Sequence, residues 1–114
     1  MVTGREYVPE RGDLVWLEFT PHAGREQAGR RPALVVSKAE YNGRSGLMLC
    51  CPVTSRRRGL PFEVALPAGG KVGGVVLSDH AKSVDWRARW AKLIEAASPE
   101  VMREVRARLL ALIQ

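Results

Sequence analysis

Apolar residues gather in short blocks along this chain, and most of the blocks carry the β-branched and aromatic residues that strands favour. Asp13-Leu14-Val15-Trp16-Leu17-Glu18-Phe19, entered from Arg11-Gly12 and stopped at Thr20-Pro21, predicts a first strand. The residues from His22 to Pro32 are polar and punctuated by glycine, which reads as a surface loop. Ala33-Leu34-Val35-Val36-Ser37 and Leu47-Met48-Leu49-Cys50-Cys51-Pro52-Val53 are near-continuous apolar runs separated by Asn42-Gly43-Arg44-Ser45-Gly46. They predict two buried strands joined as a hairpin. In Phe62-Glu63-Val64-Ala65-Leu66 the pattern alternates, as on a half-buried strand, and Val75-Val76-Leu77 follows as another short one. From Trp86 to Ala97 periodicity does not choose, because Trp86, Trp90, Leu93, Ile94 and Ala97 fall at helical spacing while Lys82 to Arg89 extends a strand equally well. The ending is clearer. Ser98 is a capping residue, Pro99 suits the first helical position, and Val101, Val105, Leu109, Leu112 and Ile113 form one apolar stripe, so an amphipathic helix closes the chain. Several short strands and a terminal helix predict a mainly β fold, a small barrel or curved sheet.

Composition narrows the class. With 114 residues, 46% of them hydrophobic and 26% charged, the chain matches one ordinary globular domain over residues 1–114 and excludes a disordered or collagen-like polymer. No apolar run approaches the roughly 18–20 residues of a membrane span, and the expected location is the cytoplasm. Cys50 and Cys51 are adjacent, so on a strand they point to opposite faces and are expected as buried reduced thiols. With only His22 and His80 as further soft ligands, no metal and no cofactor is expected.

Charge then indicates a partner. The net charge is +6, and fourteen of the eighteen cations are arginine, whose planar fork matches phosphate oxygens. Position sharpens this. In an antiparallel pair, the start of the strand after Arg31-Pro32 and the end of the strand at Pro52-Val53-Thr54-Ser55 lie side by side. Arg31 and Thr54 are therefore expected as neighbours, with Arg56, Arg57 and Arg58 close behind. An arginine beside a hydroxyl is a phosphate grip, although the same residues also serve as an exposed loop cation and a turn former. Trp16 is expected in the core, and Trp86 and Trp90 on the surface, available to unpaired bases or to an apolar peptide.

Gly12-Asp13-Leu14-Val15-Trp16, the stretch Glu26 to Val36, Pro52-Val53-Thr54-Ser55, Leu60-Pro61-Phe62-Glu63-Val64 and Ser78-Asp79-His80-Ala81-Lys82-Ser83 are collinear and compatibly spaced. In that order they resemble the MazF/PemK family of toxin endoribonucleases, from about Tyr7 to the end of the terminal helix. The resemblance implies an SH3-like small barrel of the MazF/PemK/CcdB type with a C-terminal helix, a homodimer, and an extended rather than helical segment around Val84 to Ile94. It also implies metal-independent cleavage of single-stranded RNA at short sequences, leaving a 2′,3′-cyclic phosphate and a 5′-hydroxyl. The partners it implies are RNA and a cognate MazE-like antitoxin, with DNA met only through that antitoxin.

Carried over position by position, the resemblance makes Arg31 and Thr54 the catalytic pair, with Glu26 assisting the base step or holding Arg31. Arg25, Arg30, Ser55, Arg56, Arg57, Arg58, Asp79, His80 and Lys82 are the corresponding RNA contacts. One departure bears on mechanism: relatives that use an Asp at the position of Asp79 carry an Arg two residues earlier, where this chain has Leu77. Two other readings compete, a gyrase-inhibiting toxin of the CcdB type and a non-catalytic nucleic-acid-binding barrel. The first depends on a Trp-containing C-terminal end, which Leu109-Leu110-Ala111-Leu112-Ile113-Gln114 does not provide.

Overall fold

The computed structural model describes residues 6–19 and 29–114. Along the chain run β1 (Asp13–Phe19), β2 (Gly29–Val35), α1 (Ala39–Ser45), β3 (Leu47–Thr54), β4 (Glu63–Ala65) and β5 (Val75–Leu77). A 3₁₀ turn (Ser78–His80), β6 (Lys82–Asp85), β7 (Lys92–Ala96) and α2 (Pro99–Ile113) follow. The strands form one antiparallel sheet in the order β4-β5-β3-β2-β1-β7, with β6 also on β3, so the fold is mainly β with a C-terminal helix.

Side-chain alternation along β1, β2 and β3 produces two cores from one sheet, because successive residues point to opposite faces. Leu14, Leu34, Cys51 and Val53 face one side, where Val64, Leu66 and Val76 and the helix residues Val101 and Val105 cover them. Val15, Leu17, Ala33, Val35, Met48 and Cys50 face the other, with Val84 and Trp86. Cys50 and Cys51 thus fall in different cores, both buried and unbridged, as their adjacency predicts. No ladder joins the end strands β4 and β7 among the described residues. They are linked instead by Glu95 of β7, whose carboxylate accepts from the Lys71 N–H at 2.9 Å in the β4–β5 connection.

The outer edge of β3 is divided. β6 pairs with Leu47 to Cys50, and β5 pairs with Val53 and Thr54. Between these two ladders stand Cys51 and Pro52, and proline has no N–H to donate. Here β5 and β6 part, and the 3₁₀ turn bridges them.

Five local expectations need correction. β2 and β3 pair as predicted, but their connection is the helix α1 rather than a tight turn. Asn42 is the reason. Its buried amide donates to Pro9 O at 2.8 Å and Ser37 O at 3.0 Å and accepts from the Ser37 hydroxyl, bonds that an Asn-Gly turn would not make. Second, Gly29 to Pro32 belong to β2 and not to a loop, because the ladder to β1 continues through Arg31↔Leu17 to Gly29↔Phe19. Third, Trp16 is 38% exposed, lying one pleat beyond the rows against which Val101 and Val105 pack. Fourth, Trp86 is buried, and its indole N–H donates to Asn42 O at 2.9 Å. Trp90 is exposed as expected, in the turn between β6 and β7. Fifth, the segment from Val84 to Ile94 is extended only at its ends, in β6 to Asp85 and β7 from Lys92, and Trp86 to Trp90 form a turn where the family resemblance implies extended chain. α2 starts as predicted, with the Ser98 hydroxyl accepting from the Val101 N–H at 3.2 Å.

Burial pushes both cysteine thiols up from 9.0 to about 12. Native protein is therefore expected to resist iodoacetamide at neutral pH and to react only after unfolding. A thiol held protonated by the fold gives stability that is complete below the unfolded pKa and is lost as pH rises through the folded value. The unfolding midpoint is expected to fall between about pH 9 and 12, and Cys50→Ala/Cys51→Ala is expected to flatten that part of the profile.

Candidate active site

The last β2–β3 ladder pair on the site side is Ala33↔Pro52, and continuing that register by two residues sets Arg31 across from Thr54. Both line a groove of about 1220 Å³ that opens where β5 and β6 part. Its volume exceeds the roughly 300–1,000 Å³ of a small-molecule pocket, which fits a polymer rather than a compact ligand. Phe19 and Pro52 contribute apolar wall, and Ser55, Arg56, Arg58, Asp79, His80 and Lys82 contribute polar and charged groups. Lys82 is placed by the Phe19 ring, whose centroid lies 5.2 Å from its Nζ.

The Thr54 hydroxyl is oriented by its own chain. Its Oγ1 accepts from the Arg56 N–H at 3.2 Å, and a hydroxyl that accepts still has its hydrogen to donate. Arg31 is half-buried. His80 Nε2 and Asp79 Oδ1 are 3.9 Å apart and both side chains are largely exposed, so each remains available to a ligand.

Two groups that hold the site carry no chemical signature in the sequence. Glu63 reads as the polar position of an alternating strand, yet its carboxylate accepts from the Arg58 N–H at 3.2 and 3.1 Å and from the Gly59 N–H at 3.1 Å. It fixes the cationic loop from below. Gly74 is the other. Its φ is +99°, and a Cβ there would stand 2.2 Å from Thr54 O, so only glycine lets β5 approach the end of β3 this closely. The sole hint in the sequence is the Gly73-Gly74 pair, and a pair of glycines does not say which one is indispensable.

Of the residues that the sequence marks, Arg31, Thr54, Ser55, Arg56, Arg58, Asp79, His80 and Lys82 come together. Arg30 and Arg57 do not line the groove. Arg30 lies on the opposite face of β2 from Arg31, and its Nη2 donates to Trp90 O at 3.1 Å. Arg25, Glu26 and His22 lie outside the described residues. Among the described residues no three His, Cys, Asp or Glu side chains cluster closely enough to hold a metal ion.

Residues 10–113 match the family model described as PemK-like, MazF-like toxin of type II toxin-antitoxin system. The chain belongs to the MazF/PemK family of endoribonuclease toxins. It is 46% identical over 107 residues to the endoribonuclease toxin MazF of Escherichia coli K12, covering 94% of this chain and 96% of that one. Its identity to the endoribonuclease toxin ChpB of the same organism is 41% over 110 residues, covering 92% and 94%. Among solved structures it is similar to MazF of Deinococcus radiodurans, with 59% identity, a TM-score of 0.89 and coverage of 95% and 98%. A MazE–MazF complex of that organism matches with 59% identity, a TM-score of 0.88 and coverage of 95% and 97%. The family fold and the sheet described above agree, including the C-terminal helix.

Gly74→Ala is expected to lower stability by about 2 kcal/mol or more and to move the amide resonances of Thr54 and Ser55. Gly73→Ala, with open space around its Cβ and no positive φ, is expected to be nearly neutral in the same urea titration. Equal effects at the two glycines would show that the close approach at Thr54 does not constrain the site.

Proposed function

We propose that this chain is a sequence-specific, metal-independent endoribonuclease that cleaves single-stranded RNA, is held inactive by a cognate MazE-like antitoxin, and works as a cytoplasmic homodimer. DNA enters only through the antitoxin. The observation that carries the reading is the meeting of Arg31 and Thr54 in one cationic groove, with Arg56 and Arg58 beside them and the Thr54 hydrogen left to donate. The names of the relatives support the same activity, and the Deinococcus complexes support an antitoxin partner.

The reaction is a transesterification. The ribose 2′-oxygen attacks the adjacent phosphorus as its proton leaves to a base, a P–O2′ bond forms, and the P–O5′ bond breaks as the 5′-oxygen gains a proton. Charge builds on the non-bridging oxygens of the crowded phosphorus. Arg31 neutralises that charge, and Thr54 donates its hydroxyl hydrogen to one of those oxygens. A guanidinium stays protonated across the working pH range, so Arg31 serves as an electrostatic group rather than a base. Glu26 is the proposed assistant in the base step. Arg56 and Arg58 hold neighbouring phosphates, and Asp79, His80 and Lys82 flank the path of the strand.

End-mapping of mixed-sequence single-stranded RNA in EDTA tests the proposal. Wild-type protein is expected to cut at one short motif and leave cyclic-phosphate ends. Arg31→Ala and Thr54→Ala are each expected to slow cleavage by about 10²–10³-fold with folding intact. Intact RNA with antitoxin-free wild type overturns the enzyme in favour of a binding barrel or a gyrase-directed toxin, and full activity in both variants overturns the assignment of the pair. Arg56→Ala/Arg58→Ala is expected to lower the slope of log affinity against log salt by up to about two, as read by fluorescence anisotropy.

A further inference from the structure

We infer that His80 is the general acid of the cleavage, the group that protonates the departing 5′-oxygen, an assignment that rests on the endoribonuclease reading. The reaction needs a proton at that oxygen, and neither Arg31 nor Thr54 supplies one. A guanidinium holds its proton across the working pH range, and the Thr54 hydrogen goes to a non-bridging oxygen. Of the side-chain types that line the groove, imidazole is the one that ordinarily changes charge near neutrality, and His80 is the only imidazole among the described residues.

Its position is fixed by the fold. His80 ends the 3₁₀ turn that bridges β5 and β6 where they part along β3. Ser78, which opens the turn, is buried and held from two sides. Its N–H donates to Phe62 O at 3.1 Å, and its carbonyl accepts from the Cys51 thiol at 3.8 Å. Two residues beyond His80, Lys82 pairs with Cys50 in the β6–β3 ladder. Anchored on β3 at both ends, the turn presents Asp79 and His80 to the groove that holds Arg31 and Thr54. A general acid needs such placement, because the proton moves only when its donor stands within hydrogen-bond reach of the oxygen. The His80 side chain is 57% exposed, so a strand in the groove reaches the ring directly.

The charges around the ring suit a donor. Asp79 Oδ1 stands 3.9 Å from Nε2 and gives a protonated ring its counter-charge. Arg31, Arg56, Arg58 and Lys82 oppose it from the groove walls, and a bound RNA offsets them with its phosphates. Glu63 is turned to the Arg58 and Gly59 N–H groups, and on α2, which packs on the turn, Arg108 is paired with Glu104. As the P–O5′ bond breaks, its electron pair stays on the 5′-oxygen and takes the proton from an imidazolium N–H. The ring is left neutral and regains its proton from water.

The test uses an RNA carrying the cleavage motif found by end-mapping, made once with the ordinary 5′-oxygen at the scissile bond and once with sulfur in its place. Sulfur leaves as a thiolate and needs no proton, so the second substrate bypasses the acid. His80→Gln in the full, antitoxin-free chain is expected to cut the oxygen substrate about 10²-fold or more slowly, and the sulfur substrate within about twofold of wild type. Its unfolding midpoint is expected to be unchanged, since the side chain is exposed. Equal slowing on both substrates overturns the assignment in favour of a positioning or binding role, and unchanged rates overturn it in favour of a bystander. Rescue by sulfur in Lys82→Met and not in His80→Gln overturns it in favour of the lysine. Wild-type protein that cuts neither substrate overturns the endoribonuclease reading together with the assignment, a result distinct from any failure at His80 alone.

Discussion

The outer edge of β3 is shared between two partner strands, and the arrangement of the candidate active site follows from that. β3 is held on one side by β2, while its other edge changes partner from β6 to β5 across Cys51 and Pro52. Where the partners part the sheet opens, and Thr54 at the end of β3 is left at the mouth of the opening with Arg31 across from it. The same strand buries both of its faces, since Cys50 and Met48 enter one core and Cys51 and Val53 the other. Each buried aliphatic side chain contributes on the order of 1.5–3 kcal/mol, so the position of Thr54 is backed by packing on both sides of the sheet. Gly74 and Glu63 complete the frame by permitting close approach of β5 and by tying the cationic loop down.

Charge is distributed with equal order. A chain of net charge +6 would place its arginines anywhere on its surface if solubility were their only use. Here Arg44, Arg87 and Arg108 meet carboxylates and Arg30 donates to a carbonyl, while Arg56 and Arg58 line one groove and Arg11, Arg103 and Arg106 another with a different lining. The groove at Thr54 combines cations with a hydroxyl, an imidazole and an aromatic wall, which suits a phosphodiester strand. The groove at Met102 combines cations with an apolar floor.

Much of this was legible in the chain, and the reasons for the exceptions are specific. β1 and β5 fall where their β-branched blocks predict, and α2 begins at its capping serine, because strand propensity and capping act within a few residues. Arg31 and Thr54 could be placed together because antiparallel pairing converts two sequence positions into one location. Trp16 and Trp86 depart from expectation because burial of a tryptophan depends on which element lies over it. Neither the reach of α2 nor the carbonyl of Asn42 is visible from the indole's own neighbours. Asn42 departs from expectation in a similar way: its dipeptide with Gly43 favours a tight turn, and its hydrogen bonds to Ser37 and to the distant Pro9 carbonyl make it the anchor of a helix instead.

By itself, then, the sequence determined the strand blocks, the capped terminal helix, the two inert thiols and the family with its expected catalytic pair, all of which depend on local propensity or on motifs in a fixed order. Only the tertiary structure decided that β3 would divide its outer edge and that Glu63 and Gly74 would hold the site. Each of these depends on contacts between residues distant in the chain. Local preference assigns a residue its conformation, and only the packed sheet assigns it a neighbour.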